Sequence, residues 1–163
     1  MPVTERPSVR RTLAILGVLV AACVLIGCGE RTGRTPRPPD DALLVAASNM
    51  KLTFPENTRV LGYKTSIGER SMVPTPDNTI HLKIAFSRTD LDAFLRSSPF
   101  AGKTLSTTKR AVGNRPDPPG WDPESAERFQ SGAAELPGNT FLNILVDLDG
   151  GDCVTVYLSW GEM

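Results

Sequence analysis

The sequence is poor in the residues from which most active sites and staples are built. One histidine, His81, and three cysteines stand among 163 residues. A multi-histidine metal centre is therefore excluded, and any histidine-dependent triad must use His81. There is no excess of charge of either sign, with 18 basic and 18 acidic side chains. That balance argues against a nucleic-acid binder and gives no strong field for steering a charged polymer. Aromatic residues are 6% of the chain, with two Trp and two Tyr. A long apolar run occurs near the amino terminus, from Thr12 to Cys28. What the chain has in quantity is Gly and Pro, 14 of each, which implies punctuated loops between rather few regular elements.

The apolar run follows Arg6, Arg10 and Arg11, a positive segment of the kind that stays cytoplasmic and orients insertion. It ends in Leu25-Ile26-Gly27-Cys28, which resembles the lipobox of bacterial lipoproteins. Gly27 is the small residue a signal peptidase needs before its cut. The resemblance implies that Cys28 becomes the first mature residue and carries a diacylglyceryl thioether. Two acyl chains anchor stably where one does so only marginally. Two other readings stay open. The run has roughly the 17-residue minimum for a membrane helix, so an uncleaved anchor fits its hydropathy. Val20-Ala21-Ala22-Cys23 is a second match, which would leave an apolar stub and keep Cys28 as a possible partner for Cys153. All three place residues 29–163 on the same, extracytoplasmic side.

The expected organisation is thus a signal peptide over 1–27, a tether over 28–40 and one domain over 41–163. Loss of residues 1–27 takes away Glu5, Arg6, Arg10 and Arg11, leaving a charge of about −2. The tether is polar, and Pro36, Pro38 and Pro39 bias it toward extended backbone. About 120 residues remain, enough for one core but short for the two-lobed cleft of a solute receptor. With Cys23 removed and Cys28 alkylated, Cys153 has no expected partner, and no disulfide framework is expected.

Within the domain, Asp40 or Asp41 is placed to cap a short helix through Ala42 to Ala47, with Leu43, Leu44 and Ala47 on one face. Arg59 to Ser66 reads as a strand, and Ile67 to Asn78 as a loop. Thr79 to Phe86 alternates cleanly, with Ile80, Leu82, Ile84 and Phe86 on one side and His81, Lys83 and Ala85 on the other. Ser87 or Thr89 can cap a helix whose stripe is Leu91, Phe94 and Leu95. Residues 101–120 read as a long surface loop. Asp122 as cap and Pro123 as first turn predict a helix to Ser131, stopped by Gly132, with Glu124 and Arg128 paired on its surface. Leu136-Pro137-Gly138-Asn139 makes the turn into a final hairpin, Leu142–Val146 with Val154–Trp160, turning at Asp149-Gly150-Gly151-Asp152. The fold class expected is two-layer α+β, an antiparallel sheet of about four strands (two hairpins) with helices on one face.

The segments Phe54-Pro55-Glu56-Asn57-Thr58-Arg59-Val60, Gly120-Trp121-Asp122-Pro123, Leu142-Asn143-Ile144-Leu145-Val146-Asp147 and Val156-Tyr157-Leu158-Ser159-Trp160 resemble those of small secreted lipoproteins from actinobacteria. The resemblance covers most of residues 50–162. It implies location and architecture and carries no active site.

Candidate chemistry is sparse. Cys153 with His81 as base is the best conceivable catalytic pair, but Asp149 and Asp152 beside the thiol would raise its pKa. His81 is expected on the outward face of its strand. Asp147, Asp149 and Asp152 resemble a calcium loop only at a glance. The next positions of an EF-hand pattern would be Gly151 and Leu158, so the pattern fails and no metal site is expected. Trp160 continues an inward series. Trp121, in a loop, is the candidate for an exposed aromatic at a binding surface, with a packed helix-start residue as the competing role. The expected function is a noncatalytic, lipid-anchored binding module of the cell envelope, held to the membrane by Cys28 and meeting an unidentified envelope protein or ligand. No nucleic acid and no cofactor beyond the lipid are expected. The alternative is a small surface enzyme using Cys153 and His81.

Overall fold

The computed structural model describes residues 41–66, 78–112 and 118–162. Leu25, Ile26, Gly27, Cys28, the tether to Asp40 and most of the loop expected from Ile67 to Asn78 lie outside the described residues. Among the described residues no helix is long and apolar enough to cross a membrane.

Five antiparallel strands form one sheet: β1 (Arg59–Thr65), β2 (Thr79–Ser87), β3 (Phe129–Leu136), β4 (Thr140–Asp147) and β5 (Cys153–Glu162). Their spatial order is β1-β2-β5-β4-β3. The two expected hairpins are present, β1 with β2 and β4 with β5, and β2 pairs with β5 over nine positions to join them. The expected alternation of β2 and β5 is realised. Ile80, Leu82, Ile84 and Phe86, with Val154, Val156, Leu158 and Trp160, are all buried in the main core. Leu142, Ile144 and Val146 join them from β4.

Two helices pack on that face: α1 (Ala42–Met50) and α2 (Leu91–Arg96). The buried side of α1 differs from the expected one. Ala42, Ala46 and Met50 are enclosed, while Leu44 is 74% exposed. Alanines spaced by four let the helix backbone lie close to the sheet, and Met50 closes its end; a leucine at those positions would hold it off. Asp41 gives α1 no side-chain cap, and Ser87 gives none to the turn that leads into α2. Leu91 and Phe94 do face the core as their spacing implies. Phe94 packs against Phe86 at 5.2 Å and Phe54 at 6.2 Å between ring centroids.

The fifth strand corrects the helix expected from Pro123 to Ser131. Only the short 3-10 turn Pro123–Ser125 forms, and Phe129–Leu136 pairs with β4 over eight positions. The physical reason lies in the carbonyls. The Arg110 guanidinium donates to Pro123 O and Ala126 O, groups that an α-helix would commit to its own N–H groups four residues on. Gly132, expected as a helix stop, lies inside β3, where a Cβ would come within 2.6 Å of Leu105 Cδ2. The expected Glu124–Arg128 pair is absent too; Glu124 pairs with Arg110, and Arg128 with Asp149.

Candidate functional site

Because strand side chains alternate, every residue between two core positions points to the reverse face of the sheet. There β2 contributes His81 and Lys83, β5 contributes Tyr157 and Ser159, and β4 contributes Leu145 and Asn143. Lys83 is the register partner of Tyr157, and Tyr157 of Leu145. This face carries a second, smaller core of Val112, Trp121, Ala126, Leu145 and Tyr157, with Phe129 packed against it.

The cover of this face comes from the stretch expected to be a surface loop. Ser106 and Ser131 bridge the segment to the outer edge of β3 through both backbone groups. The Ser131 hydroxyl donates to Lys109 O and accepts from the Ala111 N–H. Arg110 then acts as a hub. It reaches Pro123 O, Ala126 O and the Glu124 carboxylate, and its guanidinium lies 4.1 Å from the Phe129 ring centroid. Lys83 Nζ donates to Gly120 O at 2.6 Å and Tyr157 OH to Asp122 O at 3.1 Å. These bonds hold Trp121 between its neighbours.

Trp121 is 8% exposed, so the loop position expected to present an aromatic to solvent instead buries one. Its ring meets Tyr157 edge-on at 5.3 Å and His81 edge-on at 5.5 Å. Such T-shaped contacts set the positive edge of one ring against the negative face of another. His81, expected on an outward strand face, is 6% exposed for the same reason: the face is outward from the helices, but Trp121 covers it.

Burial sets the protonation of this cluster. The Lys83 amine is pushed below its ordinary value by burial, against the opposing charges of Asp122 and Asp147. The Tyr157 hydroxyl is pushed well above its ordinary value by burial, then by the same two carboxylates. A tyrosine so raised keeps its proton at neutral pH and serves as a hydrogen-bond donor. The Lys83 Nζ, 5.0 Å from the Tyr157 ring centroid, is likewise engaged with its own protein.

The other sequence candidates are dispersed. Cys153 pairs in register with Ser87 and His81 with Ser159. His81 and Ser87 are six positions apart on β2, roughly 20 Å at the antiparallel rise. The two side chains named as a catalytic pair are not brought together. Cys153 is disulfide-bonded, which leaves no thiol there for a nucleophile. In the β4–β5 turn, Asp149 accepts the Glu127 and Arg128 N–H groups and pairs with Arg128 Nε at 3.1 Å. The Glu127 N–H does most to hold its carboxyl below the ordinary range. Asp147 Oδ1 accepts the Asp149 N–H. These two carboxylates are fixed as turn and cap groups, and among the described residues no cluster of three or more metal-ligating side chains occurs.

Sequence reasoning missed Lys83, Arg110 and Tyr157 as the residues that organise the reverse face. Lys83 and Tyr157 were visible as outward strand positions, but nothing local marks what covers them. Compared with known proteins, the chain matches no family model, no curated protein and no solved structure.

Proposed function

We propose that this chain is a membrane-anchored extracytoplasmic lipoprotein whose α+β domain is a noncatalytic binding module of the cell envelope. The observation that carries the reading is Leu25-Ile26-Gly27-Cys28, set between an apolar run behind Arg6, Arg10 and Arg11 and a polar, proline-rich tether. The wide separation of His81 from Cys153 removes the pair on which the enzymatic alternative rested. Lys83 and Tyr157 are engaged in holding the segment around Trp121, which suits a rigid scaffold better than a proton-transfer site.

The cysteines make the reading sharply testable. A sulfur in a thioether forms no disulfide, and cleavage before Cys28 also discards Cys23. Lipid on Cys28 and an intrachain disulfide from that sulfur therefore exclude each other. Intact mass of the membrane-extracted protein, with and without reduction and alkylation, decides between them. The expected result is a chain beginning at lipid-modified Cys28, with the lipid lost in Cys28→Ala. Lipidation unchanged in that variant, or a mature chain that keeps residues 1–27, would overturn the assignment.

A further inference from the structure

We draw no further inference here: the strongest candidate, the partly exposed strip of Phe141, Asn143 and Ser159 beside Gly161 on the reverse face of the sheet, is an unpartnered surface, and nothing in the structure shows what covers it.

Discussion

The two faces of the sheet are closed by different physics. On the helix side, β2, β4 and β5 present an unbroken field of Ile, Leu, Val, Phe and Trp, and two short helices cover it through apolar side chains. On the reverse side the apolar cluster has five buried residues, and a largely irregular segment lies over it. That segment is positioned by Arg110, Ser131, Lys83 and Tyr157, each bonding to one of its backbone carbonyls. Apolar area alone gives no unique position to an irregular chain. Directional donors supply one, each hydrogen bond contributing about 0.5–1.5 kcal/mol in a fixed geometry. One face is held by area and the other by address.

This contrast can be broken at several points. Phe86→Ala, which opens the main core beside Phe94, is expected to lower unfolding free energy by about 3–5 kcal/mol. Denaturant titration measures this, and a loss below about 1 kcal/mol would mean that the helix side does not carry the fold. Arg110→Met keeps the apolar stem and removes the donors, for an expected loss of about 2 kcal/mol. Its sharper readout is local: amide exchange should quicken over residues 118–126 while β2 and β5 keep their protection. Equal loss of protection in both regions would erase the distinction between the faces. Tyr157→Phe removes one donor to Asp122 O and is expected to cost about 1 kcal/mol near neutral pH.

The smallest effect is an alkaline one, and its sign follows from proton counting. Lys83 has a folded pKa below 10.5, so over the window just beneath 10.5 the unfolded chain binds more protons and stability rises with pH. Tyr157 has a folded pKa above 10.0, so beyond pH 10.0 the folded chain keeps a proton that the unfolded chain loses, and stability falls. Urea midpoints from about pH 9 to 11 should therefore drop more steeply above pH 10.0 in the parent than in Tyr157→Phe. Parallel curves would show that the hydroxyl is not protected by its burial.

How far the fold was legible depends on where each residue's partner lies. Ile80, Leu82, Ile84 and Phe86 announce their strand because strict alternation is local, and Val154 to Trp160 do the same. Residues 129–136 give no such signal. Phe-Gln-Ser-Gly-Ala-Ala-Glu-Leu is short of β-branched residues, and it becomes a strand because β4 offers a ladder and Arg110 takes the carbonyls a helix would need. Tertiary context thus overrides local preference. For α1 the pattern misled by one step around the helix, since the alanines face the sheet and Leu44 faces out. Trp121 lies in a loop rich in Gly and Pro, where the sequence leaves an exposed and a packed role equally open. Its burial depends on Lys83, 38 positions earlier, and Tyr157, 36 positions later. No window of sequence around Trp121 contains either.

The place of β5 has a consequence for the order of assembly. It follows every other strand in the chain, yet it sits in the middle of the sheet, with nine register partners on β2 and eight on β4. Until Cys153 to Glu162 is available, β1–β2 and β3–β4 are two separate hairpins, each with an apolar face and an open inner edge. Isolated hairpins are marginal in water, and closure of these long-range ladders is slow because loop entropy must be met first. The ladders that join the two halves of the sheet therefore await the strand that comes last among the described residues.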